Sequence, residues 1–440
     1  MHQCRLVLVA GLAAALVSVG LAACARQPSA RPAPAVVIRN ATIIDVVSGT
    51  STAGMTVAIT DTRISAIDRT VEQSPSTTVV DGTGKFLMPA LWDMHSHNQI
   101  YGADDLDLFV ANGVVGTRDM GSDLDFILPL RERIRRNDLL GPEIVAAGPI
   151  LDAAPVDWPF RRHVVNAAEG REAVRDLTRA GVDFFKVHNV TERESFFAII
   201  DEARNVNLPV AGHIPLKVSV EEGLASGMVS VEHLSEGREF EECPGTGAYS
   251  AERCRTIFDS IVAHHVWQTP TGQFYTGIAD VFRGQPVPNH EYASDSILAF
   301  NIKNREASHL DAKTLDIIRA RAATMKIAVA DLTKRGARLL AGCDGWVPGF
   351  CLHDELEWLV SAGLTPLQAI QTATINPAEF LRRLETQGTV EAGKRADLLL
   401  LDSDPRVDIR NARRIAAVVI RGKLLLPADL ERMKAAHRRP

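Results

Sequence analysis

The hydrophobic pattern divides the chain into three textures. Residues 36–88 hold short apolar runs, Val36–Ile38, Thr42–Ile44, Met55–Ile59, Arg63–Ile67 and Thr78–Val80, separated by Gly, Asp, Asn and Ser. Short runs with turn residues between them predict a small β-sandwich. The stretch 388–426 has the same texture, with Asp397–Leu401, Ala417–Ile420 and a turn at Gly422. Between these ends, longer apolar runs alternate with helical stretches: 86–92, 114–117, 143–147, 183–187, 209–212, 229–232, 265–268 and 338–341. Alternating strand and helix signals predict parallel βα units, and this number of them predicts a (β/α)8 TIM barrel. The expected fold is therefore α/β, with the barrel at 89–387 and a β-sandwich built from 36–88 and 388–426. The polar segment 272–312, with Pro286 and Pro288, is expected to form a mobile excursion over the barrel mouth.

The N-terminus reads differently. The almost unbroken apolar run Leu6–Leu21 follows Arg5 and is shorter than a membrane span, as in the core of a signal peptide. It ends in Leu21-Ala22-Ala23-Cys24, which resembles a bacterial lipobox. That resemblance implies a signal peptide over 1–23, lipid on Cys24, and a Pro-rich tether over 24–35. The expected location is outside the cytoplasm, on a bacterial membrane through that lipid.

Composition narrows the function further. With 46% hydrophobic residues the chain can bury a large core, and extended disorder is excluded. The net charge of −6, without a basic block, argues against a nucleic-acid partner. Of six cysteines, Cys243, Cys254, Cys343 and Cys351 would remain for an oxidising compartment. Cys243/Cys254 and Cys343/Cys351 lie close enough in sequence to pair locally, but other pairings and free thiols stay open.

The chemistry sits at the ends of the central runs. His95 and His97 are two apart, so on a strand both imidazoles face one side. His213 ends the fifth run, His233 the sixth, and Asp344 follows the eighth. In a barrel the C-terminal strand ends converge on one site, which would gather an N/O donor set suited to divalent metal ions. Lys186 ends the fourth apolar run. Burial favours its neutral amine, which can add CO2 to form a carbamate.

His95, His97, Lys186, His213, His233 and Asp344 in this strand order resemble the amidohydrolase superfamily, in its binuclear-metal class with a carboxylated lysine. The subgroup of imidazolonepropionases and Xaa-Pro dipeptidases is the nearest in appearance. Framework segments 89–95, 363–366, 373–378 and 393–398 carry the same likeness. Cys343 departs from it, since threonine often precedes this aspartate, and so does Asn98-Gln99 after the histidine pair.

The resemblance implies two divalent ions, zinc first among them. His95, His97 and Asp344 would hold one, and His213 and His233 the other. Carboxylated Lys186 and a hydroxide would bridge them. That hydroxide would attack an amide, a peptide or N-acyl amino acid bond, with Asp344 as proton shuttle. The implied partner is a small-molecule substrate with an amide and a carboxylate; an oligomer stays open. Lactones and phosphotriesters are the alternative substrates of such a metal pair, and a non-catalytic metal-binding lipoprotein is the remaining alternative. Arg118, His188, Tyr275 and His353 are candidates for binding substrate at the barrel mouth.

Overall fold

The computed structural model describes residues 34–153, 160–244 and 248–439. The expected signal peptide, Cys24 and most of the tether lie outside these residues.

The central region is a barrel of parallel strands. Seven are Leu91–Ser96, Val114–Asp119, Glu143–Ala146, Phe185–Val187, Val210–Gly212, Ser230–Glu232 and Trp267–Thr269. The eighth runs through 338–341 and bridges Gln268 in parallel through Leu339. Ladder pairing joins the first three strands and, separately, the fourth to the seventh. Isolated backbone bonds outside these ladders supply the remaining joints. The Asp183 amide donates to Ala146 O (2.8 Å), that of Leu340 to Gln268 O (2.9 Å), and that of Met94 to Ala341 O (2.9 Å). The last bond closes the ring between the first and eighth strands. Their backbones touch there: a Cβ on Gly342 would lie 2.5 Å from Cβ of His95, so this position must lack a side chain.

Both chain ends build the second unit, an eight-stranded sheet. Val36–Ile44, Ser51–Thr60, Arg63–Asp68, Thr78–Asp81 and Phe86–Pro89 come from one end, and Leu398–Leu401, Ile415–Ile420 and Lys423–Leu425 from the other. Phe86–Pro89 pairs with Val36–Ile44 and with Leu398–Leu401, which brings the two ends together. Alternation on these strands serves two cores. Leu87, Leu398, Leu400, Ala417 and Val419 face the sheet's own core, while Met88, Leu399, Leu401, Val418 and Ile420 join the barrel core. Burial on both faces explains why Leu398–Leu401 reads as an unbroken apolar run. The run 86–92 likewise serves two units, for Phe86–Pro89 belongs to the sheet and Leu91–Ser96 opens the barrel.

The excursion after the seventh strand is largely helical, with helices Gly272–Phe282 and Asp295–Ser308. Phe274, Ile278 and Phe282 recur at helical spacing on the first of them, and together with Phe300 on the second they line the cavity at the barrel mouth. Two disulfides form, Cys243–Cys254 and Cys343–Cys351.

Candidate metal centre and active site

One cavity of about 270 Å³ opens at the C-terminal ends of the barrel strands, where sites on this fold form. His95, His97, Lys186, His188, His213, His233, Tyr275 and Asp344 all line it. Three imidazoles turn their Nε2 atoms toward one carboxylate. His95 and His97 approach Asp344 Oδ1, each at 3.4 Å, and His233 approaches Oδ2 at 3.5 Å. The rings pack closely, with His233 centred 4.7 Å from His95 and 4.9 Å from His213.

Each ring is held from behind through Nδ1. His95 Nδ1 lies 2.9 Å from Glu232 Oε2, and His97 Nδ1 lies 3.3 Å from the Gly121 carbonyl. His213 Nδ1 lies 2.9 Å from Asn189 Oδ1, and His233 Nδ1 lies 2.6 Å from Thr271 Oγ1. An oxygen acceptor on Nδ1 places the proton there and leaves the Nε2 lone pair free, as a metal ligand requires. Burial pushes the His95 pKa down to about 4 and those of His213 and His233 well below the usual imidazole range. Neutral rings are the ligating form. Burial raises the Asp344 carboxyl pKa, but His95, His233 and His97 around it more than offset this and hold it below the usual range. The group is therefore an anion at neutral pH. His95, His233 and Asp344 offer ligand atoms all within 4.8 Å of one another. This donor set fits a divalent cation.

Lys186 is 2% exposed, and burial lowers its pKa to about 8. Its amine is thus easier to deprotonate than a surface lysine's. The His188 ring stacks 4.1 Å from that of His213, and its Nδ1 lies 3.5 Å from Asp152. Tyr275 lies with its ring 5.3 Å from that of His233.

Two expectations fail. Arg118 does not reach the mouth but lies fully buried inside the barrel. Its guanidinium donates to both Glu232 oxygens (2.9 and 2.8 Å), to Ser230 Oγ (2.7 Å), to Thr269 Oγ1 (3.2 Å) and to Met94 O (2.6 Å). All of these acceptors are internal, and the buried guanidinium presents no face to the cavity. His353 sits within helix Phe350–Ser361, is 2% exposed, and bonds the Asn112 carbonyl through Nε2 at 2.8 Å. It takes no part in lining the cavity.

Sequence reasoning missed two carboxylates. Glu232, next to His233 in the chain, anchors His95 and neutralises Arg118. Glu236 lines the cavity beside His188 and His213. Cys343, the departure before Asp344, is tied to Cys351, so a disulfide stands next to the site carboxylate. Asn98 and Gln99, the other departure, bond Thr117 and Asp123.

Known proteins resemble this chain in sequence and fold. A curated adenine deaminase of Rubrobacter xylanophilus is 24% identical over 405 residues, covering 90% of this chain. The chain spans only 58% of that relative's length. A Xaa-Pro dipeptidase crystallised with methionine in its active site superposes with a TM-score of 0.68 at 19% identity, covering 89% of this chain and 99% of that one. The A. niger ochratoxinase gives 0.67 at 18% identity, covering 90% and 96%. At such identities the two structures establish a shared fold. The pattern of the Amidohydrolase family matches residues 86–425, from the strand that joins the sheet to the barrel through to the last strand of the sheet, and by that match the chain belongs to the amidohydrolase family.

Proposed function

We propose that the protein hydrolyses an amide bond, in a peptide or an N-acyl amino acid, with two divalent cations held by these side chains. The observation that carries the reading is the convergence of three Nε2 atoms on Asp344 beside buried Lys186. His95, His97 and Asp344 would hold one cation, His213 and His233 the other, with Lys186 as a carbamate between them. The N/O donors suit zinc. Such ions supply Lewis acidity, which lowers the pKa of water and polarises a carbonyl.

The chain's own groups do the rest. Glu232, Gly121, Asn189 and Thr271 hold the four rings, so little reorganisation is needed when the reaction begins. Asp344 faces the cavity as an anion and can take the proton of the attacking water on a carboxylate oxygen. It then passes that proton to the leaving nitrogen, which must depart as a neutral amine. Neutral Lys186 amine adds CO2 and loses one proton to become the carbamate.

The test uses soluble chain starting after Cys24, supplied with zinc and bicarbonate. It is offered dipeptides and N-acyl amino acids, and the released amino acid is measured. Turnover of lactones or phosphotriesters alone, with both metals bound, would overturn the amide reading. Lipid on Cys24 would place this activity at a bacterial membrane surface.

A further inference from the structure

We propose that Glu236 binds the free α-ammonium group of the substrate, so the enzyme takes dipeptides with an unblocked N-terminus rather than N-acyl amino acids. The inference rests on the amide reading above. Among the described residues, Glu236 and Asp344 are the two carboxylates lining the cavity. Asp344 is engaged by His95, His97 and His233. Glu236 is different, because its side chain is 37% exposed and, among the described residues, its one ion-pair contact is with His213 Nδ1, at 3.6 Å. That nitrogen already has a closer partner in Asn189, at 2.9 Å, so the ring does not depend on Glu236. No arginine or lysine pairs with Glu236 among the described residues. Arg161 and Lys186 both feel its charge, and Arg161 is bound to Asp152.

The backbone brings Glu236 to this place by an uncommon route. His233, Leu234, Ser235 and Glu236 all have positive φ, at 57°, 49°, 50° and 57°. Left-handed backbone is unfavourable for L-residues, so four in succession are uncommon. This turn sets a site histidine and a carboxylate three residues later on the wall of one cavity. In an aminoacyl substrate the ammonium lies two bonds from the scissile carbonyl carbon, so the cation and the reacting carbon must share one cavity, as Glu236 and Asp344 do. An acyl group on that nitrogen removes the charge and leaves the carboxylate partly desolvated without a partner. Phe274, Ile278, Phe282 and Phe300 give the cavity an apolar wall for an uncharged side chain.

The test compares Leu-Leu with N-acetyl-Leu-Leu at pH 7, where most of the α-amine is protonated, on the zinc-loaded wild type and on Glu236→Gln and Glu236→Asp. The wild type should favour the free dipeptide about 10- to 100-fold in kcat/KM, the range for one charged hydrogen bond. Glu236→Gln should bring that preference to within about threefold, and Glu236→Asp should restore part of it, with metal content by mass spectrometry unchanged. Equal cleavage of both substrates by the wild type refutes the inference and keeps the amide reading. So does a loss of metal in Glu236→Gln, which would make Glu236 a ligand or a support for His213. Cleavage of neither, with two metals bound, removes both the amide reading and the inference.

Discussion

The buried pair Arg118–Glu232 offers the sharpest test of how the barrel holds its histidines. Both side chains are at most 1% exposed, and Glu232 is the shared partner of the guanidinium and of His95 Nδ1. Glu232→Gln leaves a buried guanidinium without its counter-charge. Removing one partner of such a pair costs about 3–5 kcal/mol. It also replaces the acceptor behind His95 with an amide, and loss of such support lowers metal affinity or activity by about 10- to 100-fold. Arg118→Met removes the cation instead and leaves Glu232 buried and unpaired, with a stability loss of similar size. Because both changes break one network, the double variant should lose less than the sum, by about 0.5–3 kcal/mol. Urea unfolding gives the stabilities, and competition with a chromogenic chelator gives the metal affinity. A substrate-binding Arg118 would behave otherwise, with KM raised and stability intact. Should Arg118→Met show that pattern, the internal role assigned to it is wrong.

Other outcomes follow from the same structure. Asp344→Asn should retain metal, since the histidine ligands persist, yet lose about 10²–10⁴-fold in kcat, the usual worth of general acid–base catalysis; loss of the metal itself would count against the proton-shuttle assignment. Glu239 is buried, and burial raises its pKa from 4.5 to about 8. Between those values the unfolded chain releases a proton that the folded chain keeps, so stability falls as pH rises from 4.5 to 8, by about 4 kcal/mol across the interval. Glu239→Gln should flatten that slope, and parallel slopes for variant and wild type in urea titrations at pH 5 and pH 8 would show that the carboxyl is not held neutral. Cys24→Ala should abolish palmitate labelling in a bacterial host, whereas a wild type that takes no label would end the lipoprotein proposal.

The sequence was legible where one local property carried the message. Barrel strands are buried on both sides, so each appears as an apolar run, and residues such as Lys186, His213 and His233 stand out because they close those runs. Strand alternation put His95 and His97 on one side, but the pair gained meaning only from its order with Lys186, His213, His233 and Asp344. Arg118 was misread for a physical reason. Its partner Glu232 lies 114 residues away, and nothing local distinguishes an inward-facing strand arginine from one at the mouth. His353 lies on a helix and faces the interior, where its Nε2 meets the Asn112 carbonyl. Glu236 escaped notice because only the left-handed turn, unexpected for four consecutive non-glycine residues, sets it on the cavity wall.

The closing joint of the barrel has a consequence for biogenesis. His95 stands on the first strand and Asp344 just past the eighth, and both Cys343 N and Asp344 N donate to His95 O. The centre therefore straddles the seam between the first and eighth strands. A ribosome that has released His95 must still synthesise most of the barrel before Asp344 emerges, so a chain stopped short of the eighth strand has only a partial ligand set. A cation held by this whole set would therefore need the finished polypeptide.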